Sequence, residues 1–512
     1  MRSKLVDQEA RDNILKDDNS ILVSASAGSG KTTIMVKKMC IELDQLTDHR
    51  TIAAITFTVK ATDEIKRKAQ QSIKKPFVVM TNDSFIENEI TRPFLKDAFG
   101  PDFSGDFSVE YGNQYKFTVA TQGLEQLKSK NILGSFNDNK NNFKFKLALA
   151  IIKRSVAAQE YIKSKYATLF IDEYQDSDKD MHQFFMYLKN ELNIKIFIVG
   201  DAKQAIYLWR GAVSNIFEIL ARESFNSYEL VTNFRCHKEI ENYANLFHNT
   251  RYYENQDNMV NNVILIKYPS RTFTNIPKIL SNLIDENTIN LNKEVTIISN
   301  VNNHAKRIVE LLNSNGYDFV FIPRTPIDEG LPNGYLLKEL GMFAKNTTYT
   351  IYDFMEKIGV DERPQTRVEI NKIISSLKKA DNLVVTKIEE TISNLASYLG
   401  ITVGPDEVTK FCQSVCDPQY EMAFQMMEKK HKVMTVYASK GLEFDQVISF
   451  ARYYNIHNND DVQNHYVCVT RAKEKFIMMI DTTEYHDHVL STALTYGLSD
   501  SSRLFRYIDN EL

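Results

Sequence analysis

A glycine-rich turn early in the sequence has the residue types and spacing that phosphate binding requires. It follows the apolar run 21–24 and precedes a helical pattern over residues 31–43. Glycines let backbone N–H groups converge on phosphate oxygens, and the start of a helix adds partial positive charge. We expect Lys31 to contact the β- and γ-phosphates of ATP or another nucleoside triphosphate, and Thr32 to hold Mg²⁺. The loop consists of Ala25, Ser26, Ala27, Gly28, Ser29, Gly30, Lys31, Thr32 and Thr33, with Ala25 where the generic loop has its first glycine.

Two adjacent carboxylates are the second chemical signal. Asp172 and Glu173 directly follow an apolar run that ends at Ile171. Acidic residues after a strand are usually part of a solvated loop, but the upstream phosphate loop gives these two a catalytic context. We expect Asp172 to bind Mg²⁺, directly or through water, and Glu173 to orient and deprotonate the attacking water.

A polar segment at 199–212 also follows a strand pattern and contains the one tryptophan of the chain, Trp209. A single tryptophan is more often part of a core. Here it lies beside Arg210 in a polar loop bounded by glycines, which favours a stacking surface for nucleic-acid bases. The net charge of −4 gives no overall basic field. A groove with a few cations and aromatics can nevertheless bind nucleic acid in an acidic protein.

In combination, seven segments resemble the motifs of the superfamily 1 UvrD/Rep-like DNA helicases, in the order of that family. The matching segments are 25–32, 55–65, 172–176, 199–212, 233–235, 435–444 and 466–473. The resemblance implies an α/β fold with two RecA-like P-loop NTPase domains, each a parallel sheet with flanking helices and a small, mainly helical insertion. ATP would lie between the two domains, and their closure around it would shift the track of single-stranded DNA.

The resemblance also implies which side chains contact the nucleotide beyond the phosphate loop. They are Gln8 for adenine, Phe234 for base stacking, Gln204 with Arg210 beside it for the γ-phosphate, Arg235 and Arg471 as arginine fingers, and Gly441 with Glu443 near the ribose and triphosphate. The implied catalytic set is Lys31, Asp172, Glu173, Gln204, Arg235 and Arg471. An arginine finger typically contributes about 10³- to 10⁵-fold in rate.

The DNA contacts that the resemblance implies are largely aromatic. They come from Phe57, Thr58, Tyr207, Trp209 and Tyr437, with Phe57 and Trp209 as stacking residues. Two positions depart from the family pattern, because Tyr437 replaces the usual histidine and Asp83 stands where the family has a DNA-side histidine. A carboxylate at Asp83 would repel DNA phosphates.

Short apolar runs alternate with helical patterns, which predicts parallel sheets covered by helices on both faces. The predicted strands are 21–24, 52–57, 169–171, 194–199, 262–266, 295–298, 319–322, 433–436, 446–450 and 476–480. We predict that residues 1–85 with 166–250 form the first RecA-like domain and that 86–165 form its helical insertion. Residues 251–330 with 429–512 are predicted to form the second domain, and 331–428 its reduced helical insertion.

The composition fits a globular protein of several domains, since the 512 residues are 43% hydrophobic and 25% charged. Five scattered cysteines suit free thiols in a reducing compartment, although the i, i+4 pair Cys412 and Cys416 leaves a metal or redox role open. Residues 1–7 lack the apolar core of a signal peptide, and no run approaches the roughly 18 apolar residues of a membrane span. We expect a cytoplasmic protein with no membrane contact.

Residues 128–165 carry a local excess of positive charge. Nine basic residues are opposed there by Asp138 and Glu160, an excess of seven. A solvated helical face is one interpretation, and a surface for nucleic acid or an acidic partner is the other.

A narrower resemblance, to the helicase-like subunits of the Gabija anti-phage defence systems, extends over most of the chain. It is carried by residues 90–100, 143–149 and 170–182, and it agrees with the short insertions. It implies a partner in a hetero-oligomer, namely a GajA-like, ATPase-like nuclease with a TOPRIM domain. The chain would then sense single-stranded DNA or DNA ends, hydrolyse ATP and activate that nuclease. A free-standing 3′–5′ repair helicase of UvrD type is the alternative, whereas the complete catalytic set disfavours a non-enzymatic DNA-binding module.

Overall fold

The computed structural model describes most of the chain, with several gaps. The described residues are 5–57, 59–70, 72–110, 112–138, 140–208, 211–248, 260–268, 272–329, 331, 333–358, 360, 363–378, 384–401, 403–425, 430–495, 497, 498 and 500–509. Three residues of the predicted sites, Thr58, Trp209 and Arg210, lie outside the described residues.

Helices and strands alternate along the chain. The helices are α1 (Gln8–Lys16), α2 (Lys31–Gln45), α3 (Val59–Gln70), α4 (Asn82–Ile86), α5 (Arg92–Phe99), α6 (Ala120–Lys130), α7 (Phe143–Arg154), α8 (Val156–Lys165), α9 (Lys179–Asn190), α10 (Ile216–Leu220), α11 (Lys238–Asn245), α12 (Ile276–Asp285), α13 (Asn302–Ser314), α14 (Gly334–Lys345), α15 (Ile351–Ile358), α16 (Pro364–Lys378), α17 (Val385–Leu399), α18 (Pro405–Cys416), α19 (Val436–Ser439), α20 (Asn459–Val469) and α21 (Thr483–Thr495). The strands are β1 (Ile21–Ala25), β2 (Thr51–Thr56), β3 (Val78–Thr81), β4 (Ser108–Val109), β5 (Lys116–Phe117), β6 (Ile132–Leu133), β7 (Ser135–Phe136), β8 (Tyr166–Ile171), β9 (Lys195–Gly200), β10 (Asn226–Leu230), β11 (Val263–Lys267), β12 (Val295–Ser299), β13 (Phe319–Ile322), β14 (His431–Thr435), β15 (Phe444–Phe450), β16 (Ala472–Ile480) and β17 (Arg506–Ile508).

Two large parallel sheets organise the fold. The first has six strands in the order β10-β1-β9-β8-β2-β3, and the second has seven in the order β13-β14-β12-β15-β16-β11-β17. Every strand pairing in both sheets is parallel. The predicted α/β class with two P-loop-type sheets is therefore confirmed, and so are all ten predicted strands.

The segment between β3 and β8 is mainly helical. It contains α4 to α8, a π-helical turn at Glu87–Thr91 and two short strand pairs, β4–β6 and β5–β7. Its apolar side chains share one hydrophobic core with one face of the first sheet. The five helices α14 to α18 lie between β13 and β14 and have a hydrophobic cluster of their own.

Several basic residues of the first helical segment pair with acidic side chains, which reduces the local excess of positive charge. Lys144 is buried and pairs with Asp83 at 2.8 Å and Glu87 at 2.7 Å. Lys165 pairs with Glu89 at 2.6 Å, and Lys128 with Asp102 at 2.8 Å. Lys144 therefore belongs neither to a solvated helical face nor to a surface for nucleic acid or an acidic partner. Asp83 and Glu87, which lie outside residues 128–165, neutralise it in the interior.

The cysteines within the described ranges are all free thiols. In the same part of the chain, no helix has both the length and the apolar character needed to cross a lipid bilayer.

Candidate nucleotide-binding and catalytic site

The predicted phosphate loop, the paired carboxylates and the segment with Gln204 follow three adjacent strands. They lie at the carboxyl ends of β1, β8 and β9, which are neighbours in the first sheet. The carboxyl ends of parallel strands meet at one edge, where ligands of open α/β sheets bind. The fold therefore brings together three segments that are far apart in the sequence, with 177 positions between Ser26 and Lys203.

The phosphate loop has the backbone that its glycines allow. Gly28 and Gly30 have φ values of +72° and +81°. A Cβ on Gly28 would lie 2.5 Å from Asn233 Oδ1 and 2.7 Å from Arg235 Cβ, so residues 233–235 pack directly on the loop. Lys31 and Thr32 form the first turn of α2, which begins immediately after Gly30.

Helix α1 is tied to this loop by Arg11. The Arg11 guanidinium donates to Ser29 O at 2.9 Å and to both carboxylate oxygens of Asp7 at 2.9 Å. Asp7 also accepts from Thr232 N and Oγ1. Burial raises the pKa of Asp7, but the hydrogen bonds from Arg11 and Thr232 outweigh it and hold the pKa at about 2. Asp7 is therefore a charged anchor for the start of the chain.

The residues predicted to contact the base lie at the outer end of the same cluster. Phe234 is 59% exposed, and the Arg11 guanidinium lies 5.2 Å from its ring centroid. Gln8 lies three residues before Arg11 on α1 and donates to Asp12 Oδ1 at 2.9 Å. An exposed aromatic face beside the phosphate loop can stack on a nucleobase.

Asp172 is buried, and Glu173 follows it in a left-handed backbone conformation. Glu173 has a φ of +53°, which is uncommon for a residue with a side chain and is typical of functional sites. Its carboxylate accepts a hydrogen bond from Gln175, and Gln175 Oε1 accepts from Asp201 N at 3.0 Å. Gln175 thus connects the segments that follow β8 and β9.

The pKa values of the two carboxyl groups are shifted in opposite directions. Burial and the Glu173 charge raise the pKa of Asp172. Burial also acts to raise the pKa of Glu173, but the positive charges of Lys31 and Lys440, the hydrogen bond from Gln175 and the charge of Arg471 together outweigh it and lower the pKa. Glu173 is therefore the more readily ionised of the two and suits the role of a base.

A buried ion pair joins the two sheets beside these carboxylates. Lys440, from the second sheet's side of the molecule, lies 2.6 Å from Asp176 Oδ2 and donates to Gln204 O at 3.4 Å. Gln204 itself is buried, and its amide donates to Asp201 Oδ2 at 2.7 Å. Tyr466, on α20, donates to the same oxygen at 3.3 Å.

The two arginines predicted as fingers reach the cleft from different sides. Arg235 Nε lies 2.7 Å from Glu443 Oε2, so two predicted nucleotide contacts pair with each other. Arg471 is buried and donates to Val467 O at 3.0 Å and Leu442 O at 2.8 Å. Burial and the neighbouring Arg235 charge lower the pKa of Arg471 to about 10, which still leaves it protonated at neutral pH. Gly441, with a φ of +77°, lies in the turn between Lys440 and Leu442.

Two of the predicted DNA-binding aromatics contact each other, one following β9 of the first sheet and the other on α19, after β14 of the second sheet. The rings of Tyr207 and Tyr437 stack with centroids 6.4 Å apart, and Lys440 Nζ lies 4.4 Å from the Tyr207 centroid. Phe57 is half-buried against the first core. Asp83, at the position where the family has a histidine, is neutralised by Lys144.

The charges here fit a divalent cation held mainly by a nucleotide. The described residues contain no group of three or more His, Cys, Asp or Glu side chains that could hold a metal by themselves. Asp172 is 3% exposed and its desolvated carboxylate would be neutralised by a cation. Thr32 and Asp172 are the residues that would contribute the protein oxygens.

Sequence reasoning missed several residues of this site. Arg11, Gln175, Lys440 and Tyr466 were given no role, although three of them lie inside segments that matched the family motifs. Their partners are distant in the sequence, so only the fold shows their contacts. For Arg11 the available signal was its position three residues after Gln8.

A phosphate loop at the end of a central parallel strand, carboxylates at the same edge of that sheet and one arginine from the side of each sheet define a P-loop NTPase of helicase type. A family model described as an AAA domain matches residues 7–210. The chain is 45% identical over 484 residues to the Gabija protein GajB of Bacillus cereus (strain VD045), covering 94% of this chain and 97% of that protein. The chain belongs to the GajB family, and it is an ATP-hydrolysing, helicase-like enzyme.

More distant similarity extends to the ATP-dependent DNA helicase PcrA. The chain is 25% identical over 295 residues to PcrA of Staphylococcus epidermidis, covering 47% of this chain and 40% of that protein. For PcrA of Staphylococcus aureus the identity is 26% over 292 residues, covering 46% of this chain and 39% of that protein. The chain thus spans about two fifths of the length of these helicases.

Proposed function

We propose that this chain is a DNA-dependent NTPase subunit that senses single-stranded DNA or DNA ends and activates a partner nuclease with a TOPRIM domain. The observation that carries the proposal is the buried ion pair between Asp176, three residues after Glu173, and Lys440, which follows β14 of the second sheet. The same ammonium lies over the ring of Tyr207, which stacks with Tyr437. A contact that joins the carboxylate segment to the second sheet and to the proposed DNA-binding aromatics makes hydrolysis depend on how the two domains are placed.

In the proposed reaction, the phosphate loop binds the triphosphate and Lys31 neutralises the β- and γ-phosphates. Glu173 takes the proton of the attacking water, with Gln175 holding its carboxylate in position. Mg²⁺ bound with the nucleotide would supply charge neutralisation at the phosphates, with Thr32 and Asp172 as its protein ligands. Gln204 is proposed as the γ-phosphate sensor, because it follows β9, the strand that pairs with the one before Glu173.

The arginines give the site its dependence on domain closure. Arg235 pairs with Glu443, and a bound nucleotide would take over both side chains, one at the γ-phosphate and the other at the ribose. Arg471 would exchange its carbonyl partners for phosphate oxygens. Arginine suits the proposed phosphate contacts of Arg235 and Arg471, because its planar guanidinium group binds phosphate in a bidentate manner.

DNA is proposed to pass over the aromatic side chains near the domain boundary. Tyr207 and Tyr437 come from opposite sides of that boundary, so a strand that stacks on them contacts both domains. Phe57 and Trp209 are proposed as further stacking residues, with Thr58 beside Phe57. Movement of the domains on hydrolysis would then alter the DNA contact.

The partner is proposed from the relatives. The name of the Bacillus cereus protein places it in the Gabija system, and nearly the whole of this chain aligns with it. We infer that this chain also acts in anti-phage defence, with a TOPRIM-type nuclease. The second candidate, a free-standing 3′–5′ repair helicase, is favoured by the similarity to PcrA over 47% of the chain.

A reconstitution experiment separates the two candidates. The chain would be co-expressed with the TOPRIM-type nuclease of its own genome, and ATP hydrolysis and DNA cleavage measured with and without a single-stranded oligonucleotide. We expect a stable complex in which single strands raise hydrolysis and cleavage depends on the chain, with Glu173→Gln as the hydrolysis-deficient control. Absence of a complex, together with ATP-driven unwinding of a 3′-tailed duplex by the chain alone, would instead establish the repair helicase.

A further inference from the structure

Lys203 makes a three-way contact that the proposed reaction does not use. Its ammonium donates to Ser26 Oγ at 2.9 Å and to Asn245 Oδ1 at 2.9 Å. It also lies 4.7 Å from the ring centroid of Tyr466. A single side chain thus touches the phosphate loop, the last residue of α11 and a residue of α20.

Both helices that contact Lys203 pack against the second sheet, although α11 lies within the segment predicted for the first domain. Ile240 and Tyr243 of α11 and Val467 of α20 pack in the same hydrophobic cluster as the strands of the second sheet. Lys203 itself follows β9 of the first sheet. Its two hydrogen bonds therefore connect Ser26 of the phosphate loop to Asn245 at the end of a helix that packs against the second sheet.

A second contact reaches the loop from the same side. The Tyr466 hydroxyl accepts from Ala27 N at 3.2 Å, next to Ser26, and donates to Asp201 Oδ2 at 3.3 Å. Residues 26 and 27 are thus held by one side chain from each domain. Hydrogen bonds to a charged donor are strong and depend steeply on distance and angle, so a small shift of α11 changes the force on Ser26.

We propose that Lys203 is a positioning residue that couples the phosphate loop to the second domain through its hydrogen bonds to Ser26 and Asn245. Nucleotide binding and single-strand binding then influence each other through this side chain. The inference rests on the proposed function, because it requires that the chain binds single-stranded DNA across the two domains. Coupling between two ligands is reciprocal and is measured as the ratio of affinities with and without the other ligand.

The test measures that ratio directly. The dissociation constant of a 20-nucleotide single strand is determined by fluorescence anisotropy with and without a non-hydrolysable ATP analogue. In the wild type we expect the two constants to differ by at least about fivefold, the lower end of typical coupling. Lys203→Met keeps the length of the stem over Tyr466 but removes the donors, and we expect its ratio to fall close to one.

Two further variants each remove one side of the connection. Ser26→Ala and Asn245→Ala should each reduce the ratio, and combining Lys203→Met with Ser26→Ala should reduce it no further, since both remove one interaction. Lys189→Met is the matched control. Lys189 likewise lies over an aromatic ring, 4.7 Å from the Phe225 centroid, and donates to Asn190 at 3.1 Å, but on the surface. Its ratio should equal that of the wild type.

Several results would overturn the inference. A Lys203→Met protein with the wild-type ratio contradicts it even if both affinities or the melting temperature fall, because the role would then be structural only. If the ratio of dissociation constants falls to one in Ser26→Ala but not in Asn245→Ala, Lys203 orders the phosphate loop without coupling it to the second domain. A wild type that binds DNA with a ratio of one contradicts this inference alone, whereas a wild type that binds no single strand contradicts the proposed function as well. If Lys203→Met does not fold, the Ser26→Ala and Asn245→Ala results decide.

Discussion

Lys440 Nζ lies 2.6 Å from Asp176 Oδ2, and this pair joins the two halves of the enzyme at the edge of its catalytic site. The side chains are 12% and 5% exposed. Asp176 follows β8 three residues after Glu173, while Lys440 follows β14 of the second sheet. The face of Tyr207 covers the ammonium. The same cation therefore joins the segments that follow β8 and β14, acts on Glu173 and contacts a residue proposed to bind DNA.

We predict that Lys440→Met lowers stability markedly. Removing one partner of a buried ion pair leaves the other charge uncompensated, at a cost of about 3–5 kcal/mol. Asp176→Asn should have a similar effect, and the double variant should be less unstable than the sum of the single ones. Thermal and urea denaturation measure this. Lys293→Met, which breaks the exposed pair with Glu474, is the control and should cost no more than about 1 kcal/mol.

Glu173→Gln should separate nucleotide binding from chemistry. The substitution keeps the shape of the side chain but removes the base, so hydrolysis should fall by about 10²- to 10⁴-fold. ATP affinity should change little, because Lys31 and the loop are untouched. Lys31→Ala should weaken both. Isothermal titration with a non-hydrolysable analogue and single-turnover hydrolysis check this, and an equal loss of affinity and turnover in Glu173→Gln would mean that Glu173 binds rather than catalyses.

The sequence predicts the central strands and the edge strand β13, but it does not predict the other edge strands of the two large sheets, for a physical reason. Central strands such as β2 are buried on both faces and are continuous apolar runs. The edge strands β10 and β17 have few buried side chains, and β3 is short, so their sequences lack that signal. The pairing partners that define these edges are distant in the chain.

The same limit applies to the site. The phosphate loop and the Asp172–Glu173 pair are local patterns, so spacing alone suggests them. The Lys203–Ser26 and Lys440–Asp176 contacts join residues separated by 177 and 264 positions, and no local pattern contains them. The charge excess of residues 128–165 was misleading at Lys144 for the same reason, since Asp83 and Glu87 lie about 60 residues earlier.

The stability that Asp7 contributes by anchoring α1 should decrease as the pH falls. Asp7 has a folded-state pKa of about 2, below its usual value of 3.8, so its contribution is fully present above pH 3.8 and is lost as the pH falls towards 2. Asp7→Asn should destabilise the protein at neutral pH by about 1–2 kcal/mol. The difference in urea-unfolding free energy between wild type and Asp7→Asn should shrink below pH 4, and a difference that grows there would contradict the assignment.

The stacking surface should be detectable by substitutions that remove the aromatic ring but keep an apolar side chain. Phe57→Leu preserves most of the packing against the first core but removes the aromatic face, and Trp209→Leu is its counterpart. Each should weaken binding of a single-stranded oligonucleotide by about 1–3 kcal/mol and reduce DNA-stimulated hydrolysis more than basal hydrolysis. Phe99→Leu, at a ring that contacts Arg154 in the helical insertion, is the control. Unchanged affinity in both test variants would place the DNA track elsewhere.

The last prediction concerns the basic helical insertion as a docking surface for the nuclease. Lys144→Glu cannot test this, because it would place a third carboxylate against Asp83 and Glu87 in the interior, and we expect that variant to be unfolded. Lys130 and Lys140 are exposed, so their reversal to glutamate should leave folding nearly unchanged.

If the insertion binds the nuclease, the double variant Lys130→Glu, Lys140→Glu should keep the hydrolysis and single-strand affinity of the isolated chain. Complex formation with the nuclease, measured by co-purification and mass determination, should decline, because opposite charges at an interface rim mainly promote association. Reversal of Lys306, a basic residue on α13 outside the insertion, to glutamate is the matched control and should leave the complex intact. If the double variant instead loses DNA binding while the complex persists, the insertion contacts DNA, and the nuclease must dock on another surface.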